Sequence, residues 1–151
     1  MNSQIKLFGQ IKIEAKQMLN LDTGTAIALI AENSPHRYEL RQYINGKEMV
    51  MTQTAFDEFT NIVKTIARLS EQNRANRLLQ RVTIIPDNPS PRALNLQPTR
   101  KIGINDIIIL GTGDQLNIVT TTADAKAVRA ASAQGVDFHV YIHPPFPLTG
   151  N

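Results

Sequence analysis

Four acidic residues, Asp22, Glu58, Asp106 and Asp124, are the side chains of this 151-residue chain best suited to chemistry. The three aspartates stand where strand-like runs give way to helix-like sequence. The runs are Met18-Leu19-Asn20-Leu21-Asp22, Ile104-Asn105-Asp106 and Ile118-Val119-Thr120-Thr121-Thr122-Ala123-Asp124. In an α/β fold with a mostly parallel sheet, such junctions gather at the carboxyl edge of the strands, where ligands bind. Carboxylates crowded there repel one another unless a divalent cation neutralises them. Hard oxygen ligands of this kind suit Mg²⁺ or Mn²⁺. Taken singly, each aspartate is as well explained as a helix N-cap, worth about 1 kcal/mol, and Glu58 as a solvated helix residue.

The rest of the composition narrows the chemistry. Cysteine is absent, which excludes disulfides, thiolate zinc sites and a cysteine nucleophile. His139 and His143 are four apart with no third ligand evident, so a zinc site is not expected. The chain carries 16 basic and 13 acidic residues, for a net charge of +3. If four acids form one site, the remaining surface is strongly basic, which suits a polyanionic substrate. On charge alone, a mildly basic globular protein with no nucleic-acid role is the plainer reading. Arg92, Arg100 and Lys101 flank the approach to Asp106, and Lys126 and Arg129 lie one turn apart just after Asp124. These five are the candidate contacts to a phosphate backbone. Arg74, Arg77 and Arg81 share one helical face if that helix continues to 81. With 42% hydrophobic residues the chain can bury a core. No apolar run approaches a membrane span, and the N-terminus lacks a signal-peptide core. A soluble, cytoplasmic protein with no membrane role is expected.

The elements that must position these residues follow from periodicity and punctuation. Residues 1–17 alternate weakly around Gly9 and read as an arm or an edge hairpin. Met18–Leu21 is a strand, and a helix follows from Thr23, capped by Asp22 or Thr23. Ser34-Pro35 starts a second helix that Asn45-Gly46 stops. Glu48–Thr52 is a strand. Thr54 is the expected cap of a helix whose stripe is Phe56, Phe59, Ile62, Val63 and Ile66. A helical piece over 71–80, a strand over 81–85 and a proline-rich loop over 86–101 come next. The segment 107–116 reads as a helix whose Gly111 and Gly113 permit close packing on the sheet, at about 1 kcal/mol each relative to alanine. A strand over 117–120, a helix over 125–134 ended by Gly135, and a strand over 136–142 complete a single domain. Residues 144–151 form a tail. The expected architecture is a three-layer α/β/α domain over 18–143.

The four acids and their settings resemble the PIN-domain family. Leu21-Asp22-Thr23-Gly24-Thr25 is similar to the family's opening motif, where an aspartate and a threonine end the first strand. Glu58 resembles its helical glutamate after the second strand. Asn105-Asp106, with Gly111-Thr112-Gly113 downstream, looks like its third acidic motif, and Thr122-Ala123-Asp124 its Thr-x-Asp. Gly24 departs from the commoner Asn or Ser, the extra threonines leave Thr120 and Thr121 as rivals of Thr122, and residues 1–17 fall outside the match. The resemblance implies a PIN-like fold and a metal-dependent ribonuclease, with many relatives acting as toxins paired with an inhibitory protein. It implies Asp22, Asp106 and Asp124 around one or two Mg²⁺ or Mn²⁺ ions, completed by Glu58. Thr25 and Thr122 would orient a carboxylate or a water, and Asn105 would do the same or cap a helix. RNA would be the substrate, and an antitoxin or immunity protein and a second copy of the chain the possible partners. A PIN-like module that binds RNA or protein without cutting is the alternative, and a nucleotide-binding protein using Gly111-Thr112-Gly113 a third.

Overall fold

A computed structural model of the chain describes residues 5–8, 11–14 and 17–148. Gly9 and the remainder of the first 16 residues, and residues 149–151, lie outside the described residues. β1 (Ile5–Phe8) and β2 (Ile11–Glu14) pair antiparallel, with Ile5 opposite Glu14 and Phe8 opposite Ile11. They form a separate two-stranded sheet.

Five short runs rich in apolar and β-branched residues build the main sheet. They are β3 (Met18–Leu21), β4 (Glu48–Thr52), β5 (Val82–Ile85), β6 (Val119–Thr122) and β7 (Val140–Ile142). Every pairing is parallel, in the order β5-β4-β3-β6-β7. Leu19, Asn20 and Leu21 are all fully buried, so β3 is covered on both faces, as a central parallel strand must be. From β3 the chain moves outward through β4 and β5. It then crosses to the other side with β6 and β7. That reversal leaves a switch point between β3 and β6, where the carboxyl edge of an open parallel sheet has its crevice.

Helices flank the sheet. α1 (Thr23–Ile30) starts because the Asp22 carboxylate accepts the Thr23 N–H, and its Ala26–Ile30 segment is buried in the core. α2 (Arg37–Ile44) begins later than Ser34-Pro35 predicts, because Pro35 and His36 form a turn that the Arg37 N–H closes on the Ser34 carbonyl at 3.5 Å. α3 (Gln53–Ile66) is capped by Thr52, whose hydroxyl accepts the Ala55 N–H at 3.0 Å. Thr54 is not the cap; its N–H and hydroxyl both donate to Asp87. Of the apolar stripe on α3, Phe59 is fully buried, worth about 2–3 kcal/mol, while Ile66 faces outward. α4 (Leu69–Leu79) starts slightly before the expected piece. The proline-rich loop contains a turn of helix, α5 (Pro91–Leu94), with Ser90 as cap and Pro91 at its first position.

α6 (Ile104–Gln115) corrects the reading around Asp106. No strand precedes Asp106; it lies inside the first turn of α6, after a loop, and Gly103 rather than Asn105 is the cap. The glycines of α6 do pack closely, on two different neighbours. A Cβ on Gly113 would stand 2.2 Å from Thr120 Oγ1 in β6, and one on Gly111 within 3 Å of Ala93 and Pro89. β6 lies two residues later than expected and β7 is confined to the end of its run. α7 (Ala125–Ala133) is ended by Gly135 at φ 91°. Two apolar clusters hold the layers: one joins α1 to α4 with the sheet, the other joins α5, α6 and α7 through Ile102, Ile107, Leu110 and Phe138.

Candidate active site

A helix that follows a parallel strand begins at the carboxyl edge, as α1 and α7 do, and α6, which runs back into β6, also has its N-terminus there. Asp22 ends β3 and caps α1, and Asp124 follows β6 and caps α7. The two therefore flank the switch point. Asp106 joins them from α6, and Glu58 from α3. All four line one open cavity of about 560 Å³, together with Thr23, Lys126, Arg129 and Pro145. Each helix N-terminus contributes roughly half a positive charge, which favours an anionic side chain beside it. Capping thus explains each aspartate singly; it does not explain their sharing one cavity with Glu58.

Hydrogen bonds fix the carboxylates. Asp22 Oδ1 accepts from the Thr23 N–H at 2.7 Å, and Oδ2 from Thr122 Oγ1 at 2.5 Å. The Thr122 hydroxyl also accepts the Asp124 N–H at 3.0 Å, so one threonine links two of the acids. Asp106 Oδ2 accepts the Gly103 N–H and Asp124 Oδ1 the Ala127 N–H. Glu58 is held at both oxygens, by Thr23 Oγ1 at 2.7 Å and Asn105 Nδ2 at 2.9 Å.

Burial first, and mutual repulsion after it, favour the protonated form of two of the acids. Asp22 is pushed up to about 6, chiefly by burial, against the opposing hydrogen bonds of Thr122 and Thr23; Asp106 and Glu58 add repulsion. Asp106 is also raised, by burial first and by Asp124 and Glu58 after it. An added cation would relieve this repulsion. The donor set is all hard oxygen, which fits Mg²⁺ or Mn²⁺. As the side chains stand, no three His, Asp or Glu groups among the described residues converge on a point where they would hold an ion together. Direct ligation by Asp22, Asp106 and Asp124 at once is therefore not formed.

The basic candidates divide. Lys126 and Arg129 line both the acidic cavity and an adjoining groove of about 660 Å³, where Arg100 and Lys101 join them. Arg92 lies outside both: its Nε and Nη2 donate to the two oxygens of Asp114 at 2.8 and 2.6 Å, which neutralises it. Thr25 is also turned elsewhere, its fully buried hydroxyl 2.7 Å from His143 Nε2. His143 is itself buried, which lowers its proton affinity. Tyr43 and Tyr141 stack on each other with ring centroids 3.9 Å apart, whereas Tyr38 is exposed. The sequence reading missed the role of Thr23 toward Glu58. The sequence carried no signal for it beyond the place of Thr23 as the first helical residue after Asp22, because the bond spans 35 residues.

The fold is an α/β architecture of PIN-like form. VapBC2 from Rickettsia felis, solved bound to a DNA fragment from its promoter, is similar at a TM-score of 0.56 and 17% identity, over 76% of this chain and 93% of that one. VapBC-1 from nontypeable Haemophilus influenzae matches at 0.56 and 18%, over 83% and 98%. DNA-bound VapBC from Salmonella typhimurium matches at 0.56 and 15%, over 85% and 98%. At such identities the likeness is one of fold. The chain belongs to the family described as a protein of unknown function (DUF1308), whose model matches residues 24–151. No helix among the described residues is long and apolar enough to cross a membrane.

Proposed function

We propose that this protein is a metal-dependent ribonuclease that hydrolyses RNA phosphodiester bonds at the Asp22–Glu58–Asp106–Asp124 edge. The observation that carries the reading is the convergence of four carboxylates from four elements in one open cavity, continuous with a groove lined by Arg100, Lys101, Lys126 and Arg129. When bound, Mg²⁺ or Mn²⁺ supplies charge neutralisation and Lewis acidity at the phosphate. The chain's own residues do the positioning. Thr122 keeps Asp22 and the start of α7 in fixed relation, and Thr23 with Asn105 keeps Glu58 at the rim. Lys126 and Arg129 draw the RNA backbone to the cavity mouth, and the groove beyond them carries the strand onward. The likeness to VapBC complexes supports a toxin role with an inhibitory antitoxin partner.

The test is cleavage of total tRNA and a structured RNA with Mg²⁺ or Mn²⁺ and with EDTA, using wild type beside Asp106→Asn and Asp22→Asn. Discrete cleavage that needs both the metal and Asp106 is expected. Cleavage that survives in both variants, free of contaminating nuclease, overturns the proposal. The lack of a ready three-carboxylate cluster favours a second reading, a PIN-like module that binds RNA or protein without cutting. It predicts RNA binding that persists in EDTA and no cleavage with either metal.

A further inference from the structure

α2 and α4 end immediately before β4 and β5, so their last turns lie at the amino edge of the sheet, opposite the four acids. There Arg41, Arg74, Arg77 and Arg81 surround a cleft of about 480 Å³ floored by Ile44, Met49 and Leu78. Among the described residues no acidic side chain lines it. Arg74 is engaged: its Nε donates to the Ile30 carbonyl at 2.7 Å and its Nη2 to Glu32 at 2.8 Å, closing the end of α1. The side chains of Arg41, Arg77 and Arg81 are exposed and have no hydrogen-bond or ion-pair partner among the described residues.

Arginines in a last helical turn have an ordinary explanation, the negative end of the helix dipole. Arg41 and Arg77 occupy such turns, in α2 and α4. The helix ends of α1, α2 and α4 offset roughly half a charge each, and Glu32 one more. The four arginines still leave a surplus of about one to two positive charges, and Arg81 lies beyond any helix. Their field is felt nearby: burial first, then Arg74 and Arg41, hold Arg37 below the usual arginine range.

We propose that this cleft binds a compact phosphorylated ligand with two or more phosphoryl groups on an apolar or heteroaromatic body, the chemical class of nucleoside di- and triphosphates. Three unpaired guanidinium forks around so small a volume call for a dense polyanion. One carboxylate brings a single charge, whereas neighbouring phosphoryl groups bring several and match the fork geometry. The cleft volume is that of small-ligand sites, which run about 300–1,000 Å³. Ile44, Met49 and Leu78 offer aliphatic surface for the body, and the polar residues Gln42 and Asn45 also line the cleft. The same chemistry comes from a free nucleotide or from the 5′-triphosphate end of an RNA. The proposal does not depend on cleavage at the acidic edge.

The test uses the full chain at low salt in EDTA, with thermal unfolding and calorimetry as readouts. The probes are ATP, inorganic triphosphate, AMP, a short RNA with a 5′-triphosphate, the same RNA with a 5′-hydroxyl, and poly-glutamate. ATP is expected to raise the unfolding temperature and to bind roughly tenfold or more tighter than AMP. That gain is lost in Arg41→Ala and in Arg77→Ala/Arg81→Ala, whose exposed side chains leave the unliganded unfolding temperature near wild type, and it is retained in Asp106→Asn. Triphosphate RNA binding more tightly than ATP identifies an RNA end as the source; the reverse identifies a free nucleotide. No response to ATP or triphosphate overturns the proposal. Binding that survives the arginine variants and fails in Asp106→Asn also overturns it, because the ligand then occupies the acidic edge. A response to poly-glutamate alone overturns it in favour of an acidic protein partner.

Discussion

Replacing Asp22 by asparagine should stabilise the metal-free protein, and the gain should depend on pH. Asp22 releases its proton near 3.8 when free and near about 6 in the fold, mainly because it is buried. At about 1.36 kcal/mol per pH unit, its ionised form costs the folded state about 3 kcal/mol. Between the two values the folded chain holds the extra proton. Unfolding free energy therefore falls as pH rises from about 4 to about 6, and stays level above that. Asparagine is uncharged, nearly isosteric and an equally good N-cap. Its amide gives back part of the gain where it meets the Thr122 hydroxyl. In EDTA, Asp22→Asn should be more stable than wild type by about 1–3 kcal/mol at about pH 8, and close to it at about pH 4. In unfolding temperature that is a rise of roughly 2–10 °C for a chain of this size. Urea unfolding across this pH range is the assay, repeated with Mg²⁺, which should stabilise wild type and not the variant. A gain of equal size at both ends of the range, or a loss at about pH 8, would refute the account of Asp22 as a buried charge.

Gly113→Ala should destabilise the fold by about 1–3 kcal/mol, as overpacking does, because the new methyl meets Thr120 Oγ1; an unchanged denaturant midpoint would contradict the close packing of α6 on β6. Glu71→Ala removes a buried acceptor that takes the N–H groups of Glu32 and Arg68 at 2.7 and 2.8 Å. Stranding both should cost about 2–4 kcal/mol, measured by urea unfolding. Lys126→Ala/Arg129→Ala should weaken RNA binding uniformly across sequences. In a salt titration by fluorescence anisotropy it should lower the slope of log K against log salt by about 1.4 for single strands; an unchanged slope would remove the groove from the RNA path.

Sequence alone determined the α/β class, the order of most elements and the placing of Asp22 and Asp124 at helix starts. These rest on local physics. Apolar and β-branched runs mark β3, β4, β5 and β6, Gly46 and Gly135 adopt the positive φ that ends a helix, and aspartates fall naturally at helix starts. The shift of the α3 cap from Thr54 to Thr52, the later start of α2 and the helical setting of Asp106 are boundary effects, where several polar residues compete for one role.

Tertiary structure decided which of these side chains lie together. The Thr122–Asp22 bond spans 100 residues of sequence, Thr25–His143 spans 118, and Asn105–Glu58 spans 47. Periodicity carries no information at such separations. The same holds for Arg92, drawn off by Asp114 across 22 residues, and for the arginine cleft, where α2 and α4 bring Arg41 beside Arg77. A charge becomes a site through the burial and the neighbours that surround it, and those exist only once the strands have paired and the helices have closed over them.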